Sequence, residues 1–407
     1  MNALFDAVII GAGPAGTATA IGLAKQGRRV AIIERSVFPR RKVCGEFTSA
    51  INIDLLERLG VGAAFRSQAG PEVKRVAFFS DGRPVVAPMP KGKDEVFGRA
   101  LGRDILDGLL LDAAHAAGVA VFQPWRAIDI ARGSENATVT MEADSERRQL
   151  FAQVVVAAHG SWEPGKLPTN LSKSTRPQDF LGFKAHFRRA RLPTDLMPLI
   201  AFPGGYGGMV WADHNRLSLS FCIRRDALAS ARLASPGRSA AEAAFHHILM
   251  SCPVVAQALE EAEIAEGWLA AGPIRPGIRA AYADDIFRVG NVAGESHPII
   301  AEGIAMALQS GWILATQLGR FNRWDSYSRD EAGRSYALAW HRQFATRIRL
   351  AATLSVLVSS PRGAKLMRAV VNRFPASLSF GARLSGKTKP ILDGIGSNTF
   401  TAERAGH

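Results

Sequence analysis

The run KVCGE at residues 42–46 places a thiol beside a flexible glycine and a carboxylate. A thiol can donate a proton, and basic neighbours that come close lower its pKa and make it a better acid. Arg41 and Lys42 are such neighbours in the sequence, and both are also candidates for contacts to a phosphate or a sugar. The alternative is that Cys44 fills a gap, because a free cysteine packs like a small hydrophobic residue.

Cysteine content, net charge and apolar runs narrow the class of protein. Three cysteines, at positions 44, 222 and 252, are too few for a disulfide framework and fit no zinc pattern, so we expect no metal site and a reducing, cytoplasmic compartment. The formal net charge is +14, but no nucleic-acid-binding motif accompanies it, so nucleic acid is not the expected partner. Neither a signal peptide nor a membrane-spanning run is predicted.

Residues 7–34 carry the pattern of a dinucleotide-binding unit. A buried apolar strand at 7–10 leads into the glycine motif GAGPAG at 11–16, and a small, apolar helix follows at 17–25. A second strand at 29–33 ends at Glu34, so strand, G-x-G-x-x-G, helix, strand and acid occur within about 30 residues. This context makes the motif specific for a dinucleotide, but it does not separate FAD from NAD.

The residue types of this unit suit a pyrophosphate and a ribose. Gly11 permits the tight turn, Gly13 lets the backbone approach the pyrophosphate, and Gly16 lets the helix pack against the strand. The helix N-terminus offers free N–H groups to the phosphates, and Glu34 can accept hydrogen bonds from a ribose diol. The cofactor contacts expected here are Gly11, Gly13, Ala15, Gly16, Glu34 and Arg35.

Two later segments carry motifs that a dinucleotide unit alone does not explain. Residues 98–118 predict a loop and then a helix, with Arg103 and Asp107 in an R-x-x-L-D pattern. Residues 290–293 are Gly-Asn-Val-Ala, and residues 298–303, Pro-Ile-Ile-Ala-Glu-Gly, lead into an apolar helix.

These segments resemble those of the FAD-dependent oxidoreductases that include para-hydroxybenzoate-type hydroxylases and geranylgeranyl reductases. The resemblance spans residues 5 to about 320 and implies FAD as the cofactor, with Arg103 in contact with it. It also implies that Gly290 and Asn291 hold the ribityl chain and pyrophosphate, with asparagine where the family has aspartate. The remaining implied contacts near the flavin are Arg41, Cys44, Gly45, Pro298, Gly303 and Ile304.

A physical argument supports the implied position of these segments beside the flavin. Two residues, Asn291 and His159, differ from the family pattern. The N-terminus of a helix at 303–314 would stabilise the negative charge that a reduced flavin gains at its N1–C2=O edge. Asn291 can still hydrogen-bond a ribityl hydroxyl. The alternative interpretation is that Asn291 is only a turn residue. His159 stands where the hydroxylases usually carry aspartate, in a segment linked to FAD and nicotinamide. The electron donor is therefore expected to be either NAD(P)H, docking transiently, or a separate flavin reductase.

The predicted fold is α/β: a Rossmann-type FAD-binding domain (GR2-like), an inserted antiparallel β-sheet substrate domain and a C-terminal helical segment. The FAD-binding domain is expected to be discontinuous, over residues 1–70, 98–165 and 275–330. Strand-like runs at 180–187 and 216–222 place the substrate domain at residues 71–97 and 166–274. Residues 331–407 are expected to form a helical cap with a basic surface.

The glycine-rich run PGGYGGMVW at 203–211 resembles the P-x-x-Y-x-W-x-F-P run of geranylgeranyl reductases. Pro203 and Tyr206 match, whereas the aromatic positions after Tyr206 differ, which weakens the case for a polyprenyl substrate. The same branch carries a K-x-C-G segment, matched by residues 42–45. Cys44 and Tyr206 are therefore the catalytic candidates, as proton donors, and the alternative for the glycine-rich run is a tight turn between strands.

Residues 342–389 contain ten Lys or Arg and no Asp or Glu. Helices are predicted at 342–358 and 363–374, with a break at Pro361. A cap that packs on the FAD-binding domain and leaves a solvated basic face is the favoured interpretation. The alternatives are a basic amphipathic surface that meets anionic lipid and delivers an apolar substrate, or a surface that attracts an acidic carrier protein bearing the substrate.

The leading hypothesis for function is an FAD-dependent monooxygenase that hydroxylates or oxidises an apolar or aromatic biosynthetic intermediate. The runner-up is an FAD-dependent reductase of a C=C bond in a prenyl or polyene-like substrate. A halogenase is disfavoured, because none of the seven tryptophans forms the W-x-W segment of flavin-dependent halogenases and the run Trp162-Glu163-Pro164 does not match it. A flavin-binding protein without turnover is a further alternative.

Overall fold

The computed structural model describes residues 4–92, 95–133, 135–161, 165–171 and 174–387. The strands are β1 (Leu4–Ile10), β2 (Val30–Ile33), β3 (Phe47–Thr48), β4 (Arg75–Phe79), β5 (Val85–Pro88), β6 (Arg99–Ala100), β7 (Ala120–Phe122), β8 (Arg126–Arg132), β9 (Ala137–Ala143), β10 (Glu146–Ala157), β11 (Phe180–Arg188), β12 (Leu196–Phe202), β13 (Gly205–Trp211), β14 (Leu217–Arg224), β15 (Glu263–Ala271), β16 (Gly277–Ile278), β17 (Tyr282–Ala283), β18 (Ile286–Arg288) and β19 (Gly294–Glu295). The α-helices are α1 (Pro14–Ala24), α2 (Ile53–Arg58), α3 (Gly62–Gln68), α4 (Arg103–Ala116), α5 (Arg225–Leu233), α6 (Ala240–Ser251), α7 (Pro253–Ala258), α8 (Gly303–Leu318), α9 (Ser326–Ser359), α10 (Pro361–Arg373) and α11 (Ala376–Ala382), and a π-helical turn, Arg383–Lys387, follows. None of the helices in these ranges is long and apolar enough to cross a bilayer.

The first sheet is built around β1, whose last four residues, 7–10, are all fully buried. Its main path runs β17-β18-β10-β1-β2-β7, and all pairs from β18 to β7 are parallel. Residues 7–10 and Val30–Ile33 are continuously apolar because a parallel sheet is covered on both faces. The carboxyl ends of β1, β2, β10 and β18 meet at one edge, which is where open α/β sheets bind ligands.

Two apolar layers cover the first sheet. On one face, α1, α4, α8 and α9 pack into a core that includes Ile21, Leu110, Leu314 and Trp340. On the other face, β8 and β9 form an antiparallel extension of β10 and enclose a smaller core around Met141. The predicted Rossmann-type unit is therefore confirmed, and α1 begins at Pro14, three residues before the helix start expected from the sequence.

The second sheet has the order β15-β11-β14-β13-β12-β4-β5. Its pairs are antiparallel, as predicted, except that β4 and β12 run parallel. One face packs against α6 and α7 through a core that contains Phe183, Phe221 and Ile248. Only Pro203 and Gly204 of the glycine-rich run form a turn, and Gly205–Trp211 is a central strand. The domain boundaries stay a prediction.

The C-terminal helical segment differs from its predicted limits. The helix expected at 342–358 is the second half of α9, which has 34 residues, because Tyr336, Trp340 and Phe344 extend its buried stripe towards the N-terminus. The chain breaks at Pro361 as expected, and the Ser360 hydroxyl accepts a hydrogen bond from Gly363 N at 3.0 Å, which caps α10. Residues 388–407 of the predicted cap lie outside the described residues.

A buried carboxylate joins the two sheets. Glu46 has a left-handed backbone (φ 62°) and is almost completely buried. Its Oε1 accepts a hydrogen bond from Lys184 Nζ, and its Oε2 lies 2.8 Å from His186 Nε2, both on β11 of the second sheet. Oε1 also accepts a hydrogen bond of 3.1 Å from the backbone N–H of Arg103. Arg103 is the first residue of α4, which packs on the first sheet. Burial raises the pKa of Glu46, but His186 and Lys184 outweigh it and lower the pKa to about 2.

We predict that Glu46→Gln lowers the free energy of unfolding by about 3–5 kcal/mol at pH 7, because Lys184 would lose its buried counter-charge. Since the folded-state pKa lies below the ordinary value, the carboxylate contributes its full stability above about pH 4.5, and this contribution is lost as the pH falls towards about 2. Chemical denaturation of both proteins across this range measures the effect. The exposed Glu331, paired with Arg334, provides the control Glu331→Gln, which should leave the midpoint unchanged. Equal midpoints for Glu46→Gln and wild type at pH 7 would contradict the prediction.

Candidate functional site

The glycine loop after β1 leaves a cradle for an anionic group. Gly11 has φ +109°, and a Cβ on Gly16 would lie 2.0 Å from Gly11 O, so α1 and the loop can pack this closely only with glycine there. A Cβ on Gly13 would instead project into open space, with Arg40 as its nearest neighbour at 4.0 Å. No side chain caps the α1 N-terminus. The first-turn N–H groups and this space fit the pyrophosphate of FAD.

Glu34 ends β2 at the same edge of the sheet. Its carboxylate accepts backbone hydrogen bonds from Ala12 N and Ser36 N, each at 2.8 Å, and Arg40 lies 3.4 Å away. These bonds fix the carboxylate beside the glycine loop and leave it lone pairs for a ribose diol. The ribose contact itself stays a prediction.

Arg40, rather than Arg41, lies beside the glycine loop. Arg40 is near Gly13 and also lies 3.7 Å from Asp107 of α4. The Arg41 guanidinium is turned to β15, where it pairs with Glu266 at 2.5 Å. Arg41 also lines the cavity, so its contact to a phosphate or a sugar stays a prediction, and Arg40 is a further candidate for that contact.

A large cavity of about 860 Å³ begins at this cradle and continues between the two sheets to the C-terminal helices. Its lining includes every cofactor-binding and catalytic candidate predicted from the sequence except Gly16, which packs behind Gly11. Its far end is apolar, and the side chains there include Met197, Leu199, Val358 and Met367. A cavity with this lining suits an apolar ligand that a few polar groups orient.

Cys44 lies half-buried on the cavity wall, at the joint between the cofactor unit and the second sheet. A Cβ on the next residue, Gly45, would be 3.3 Å from Ser220 Oγ of β14. Arg103 is held by two hydrogen bonds to Asp107, at 2.7 and 2.8 Å. Burial lowers the pKa of Arg103, but Asp107 and then Cys44, beside the guanidinium, hold it above its ordinary value. The thiol therefore has a permanently cationic neighbour.

Lys42 adds a second titratable group to the same wall. Burial, followed by the nearby charges of Arg40 and Arg103, lowers the pKa of Lys42 to about 8. Lys42 consequently exchanges its proton near neutral pH, whereas the arginines around it stay charged. An anionic ligand in the cavity would raise the fraction of charged Lys42.

The segment after β18 forms a polar chain along the cavity. Asn291 Nδ2 donates to Ser161 Oγ at 3.1 Å, and Ser161 Oγ donates to Glu295 Oε2 at 2.7 Å. Burial raises the pKa of Glu295. Asn291 is thus part of an ordered network rather than a free turn residue, and Gly290 N donates to Ser310 Oγ at 2.8 Å, which fixes the turn to α8.

His159, at the position where the family has aspartate, is neutral. Its Nε2 lies 2.8 Å from Thr169 Oγ1 and its Nδ1 lies 3.0 Å from Gly160 O. Burial lowers the pKa of His159 to about 4. The segment therefore supplies hydrogen-bonding groups without the negative charge of an aspartate.

Tyr206 of β13 and His297 form a hydrogen-bonded pair on the cavity wall. Their OH and Nδ1 atoms are 3.1 Å apart, and the ring of Phe180 packs edge-on against His297. Burial raises the pKa of Tyr206 well above its ordinary value and lowers the pKa of His297 to about 4. The pair is neutral at pH 7, and the phenol donates to the imidazole.

The start of α8 closes the cavity beside Pro298, Gly303 and Ile304. Glu302, just before the helix, is buried and accepts a hydrogen bond from Lys387 Nζ at 2.8 Å. Lys387 also donates to Ile300 O at 2.7 Å. The end of the described chain is therefore fastened to the segment that was expected to lie beside the flavin.

The sequence analysis missed four residues of this site: Arg40, Lys184, His186 and His297. The run FKAHF on β11 carried a signal, because Lys184 and His186 alternate with buried aromatic residues and therefore share one face of a strand. Two polar groups buried on one face require a partner of opposite charge. No comparable local signal distinguishes His297.

Comparisons with known proteins agree with this geometry. A family model described as an FAD binding domain matches residues 5–323. Conditioned medium factor receptor 1 of Dictyostelium discoideum is 25% identical over 400 residues, which cover 88% of this chain and 71% of that protein. Digeranylgeranylglycerophospholipid reductase 1 of Methanothermobacter thermautotrophicus is 26% identical over 350 residues, which cover 78% of this chain and 81% of that protein. The solved structure of the myxobacterial chondrochloren halogenase is similar in fold, with a TM-score of 0.72 and 19% identity over 94% of this chain and 91% of that one.

We predict that Gly13→Ala folds normally but binds FAD at least roughly tenfold more weakly, because its methyl group would occupy the space open to the pyrophosphate. Titration of the apoprotein with FAD, followed by flavin fluorescence, measures the affinity. Gly108→Ala is the matched control, since a Cβ there meets no atom within 4 Å and α4 gains helix propensity. Wild-type FAD affinity in Gly13→Ala would place the pyrophosphate elsewhere.

Proposed function

Since this chain belongs to the FAD binding domain family and is an FAD-dependent oxidoreductase, we propose that it reduces a C=C bond in a long apolar, prenyl-like substrate. The observation that carries the proposal is the Cys44 thiol beside the Arg103 guanidinium, on the wall where the cofactor cradle meets the apolar end of the cavity. The similarity to a digeranylgeranylglycerophospholipid reductase over 78% of the chain supports it.

The proposed reaction adds two hydrogens across the double bond. Bound FAD would supply one of them as a hydride, with both electrons. The second is a proton, which we assign to the Cys44 thiol, and the cationic Arg103 stabilises the thiolate that remains until solvent reprotonates it. Tyr206 is the weaker candidate for this role, because its pKa is raised and its proton already bonds His297.

The cavity dimensions and lining support an apolar substrate. The cavity extends past Cys44 along β12 and β13 to α9 and α10, so it accommodates the cofactor at one end and an extended chain at the other. Two of the hydrogen-bonding groups that would face the substrate, Tyr206 and His297, are neutral and bonded to each other. Burial of an isoprenoid-like chain therefore leaves no charge unpaired there.

The second candidate is monooxygenation of an apolar or aromatic biosynthetic intermediate. It is favoured by the same cavity, because the walls between the two sheets keep water from the reacting centre and oxygen chemistry on a flavin requires that protection. Halogenation has weaker support, because the similarity to a halogenase, at 19% identity, concerns the fold. Residues 162–164, which were compared with the halogenase motif, lie outside the described residues.

The electron donor is proposed to be NAD(P)H, docking transiently, or a separate flavin reductase. The neutral His159 supports this assignment, because the segment lacks the carboxylate that the family's hydroxylases use near both cofactors. Assays with NADH, with NADPH and with a chemical reductant separate the two routes.

We predict that Cys44→Ser retains FAD but reduces the double bond about 100-fold more slowly, since a serine hydroxyl is a far weaker acid. The assay is anaerobic, with dithionite-reduced enzyme and a geranylgeranyl lipid, and mass spectrometry should detect a gain of two hydrogens per bond. Cys252→Ser is the matched control, because that cysteine is buried under the second sheet, away from the cavity.

Two results would redirect the proposal. A product that appears only with oxygen and carries one atom from ¹⁸O₂ would establish monooxygenation and exclude the reductase. Wild-type anaerobic rates in Cys44→Ser would show that the thiol is packing and that another group delivers the proton.

A further inference from the structure

The last described helices expose large apolar side chains in a regular pattern. Leu366 and Val370 of α10 and Phe374, the residue directly after this helix, are spaced four residues apart. Phe380 of α11 and Leu384 of the π-helical turn that follows are also four residues apart. These five side chains are between 41% and 61% exposed. Residues four apart lie on one side of a helix, so each helix presents an apolar stripe to solvent. We call this surface the outer C-terminal face.

Neighbouring side chains of the same two helices form a wall of the cavity. Met367 and Val371 of α10, and Leu378 and Ala382 of α11, line it. Both helices therefore stand between the cavity and the exterior, with their apolar stripes outward. Val370 both lines the cavity and is 41% exposed, which places an opening of the cavity at the outer C-terminal face.

The outer C-terminal face is also basic. Arg362, Lys365, Arg373 and Arg383 are exposed along it, and none of them forms an ion pair with a described residue. Arg368, by contrast, pairs with Asp81 at 2.6 Å. The sequence has no Asp or Glu from 342 to 387, so nothing in these helices offsets the four charges.

We propose that the outer C-terminal face docks on an anionic lipid bilayer and that the cavity opens into the lipid beside Val370. Exposed arginines and lysines attract acidic headgroups, while the leucine, valine and phenylalanine side chains enter the boundary between headgroups and acyl chains. The charges alone would also fit an acidic protein. The apolar stripes decide for lipid, because large side chains spaced along two helices match a continuous apolar phase.

This surface role is independent of which flavin reaction occurs. It provides a route by which an apolar substrate reaches the cavity without passing through water. Failure of the docking test would leave the proposed reaction intact, because detergent-solubilised substrate would still be reduced.

The test is sedimentation of FAD-loaded, full-length protein with vesicles of phosphatidylcholine alone or mixed with phosphatidylglycerol. We expect binding to the anionic vesicles and at least roughly tenfold weaker binding to the neutral ones. The variant Leu366→Ser/Phe374→Ser/Phe380→Ser should bind anionic vesicles at least roughly tenfold more weakly, while it turns over a detergent-solubilised substrate at the wild-type rate. The control variant Leu233→Ser/Met250→Ser changes exposed apolar residues of α5 and α6, and it should bind as wild type does.

A charge-matched pair completes the design. Arg362→Gln/Lys365→Gln/Arg383→Gln should lose binding to anionic vesicles, whereas Arg232→Gln/Arg320→Gln/Arg323→Gln, with the same change in net charge elsewhere, should retain it. Loss of binding with the charge variant but not with the apolar variant would overturn the proposal, because the face would then meet the vesicles through its charges alone and the apolar side chains would not enter the lipid. Absence of binding to anionic vesicles, or a wild-type dimer that the apolar variant converts to a monomer, would also overturn it.

Discussion

The buried carboxylate of Glu46 is the interaction on which the site depends. It pairs with Lys184 and hydrogen-bonds His186, both on the second sheet, while it accepts the backbone N–H of Arg103, where α4 begins. One ion therefore fixes the relative position of the first sheet with its helices, the second sheet and the loop that carries Cys44. An uncompensated ion at this depth would cost several kcal/mol, so the arrangement is maintained only as a complete set. The backbone of Glu46 is left-handed, which is strained for a residue other than glycine, and these contacts hold it in that conformation.

The electrostatics of the cavity divide it into two parts. At the cradle end, Arg40, Lys42 and Arg103 make the wall positive, which suits a pyrophosphate and an electron-rich ring. At the far end, His297 and Tyr206 are neutral and bonded to each other, and apolar side chains surround them. The cavity thus changes from a charged to an apolar environment near Cys44, where a transferred proton would have a cation on one side and the substrate on the other.

Local patterns in the sequence predicted the cofactor unit well. The glycine motif, its flanking strands and Glu34 lie within about 30 residues, and each position has a steric or hydrogen-bonding reason that the local sequence expresses. The Glu46 cluster could not be found in this way, because its partners are 138 and 140 residues away and a lone glutamate resembles a surface residue. The length of α9 was underestimated for a related reason: polar residues dominate its first half, and its buried stripe becomes evident only against the core of the cofactor unit. The position of Arg40 beside the glycine loop depends on how the segment after β2 folds, which the local sequence does not define.

The cavity walls come from separate stretches of chain, and this separation has an evolutionary consequence. The cradle is formed by residues 11–46 and 290–304, whereas the outer wall of the apolar end belongs to α10 and α11. Substitutions on the inner side of those two helices can change the length and width of the acceptable substrate while the cradle keeps its geometry. The architecture is therefore modular, because the cradle and the apolar end are built from different segments of the chain and a change in one need not alter the other.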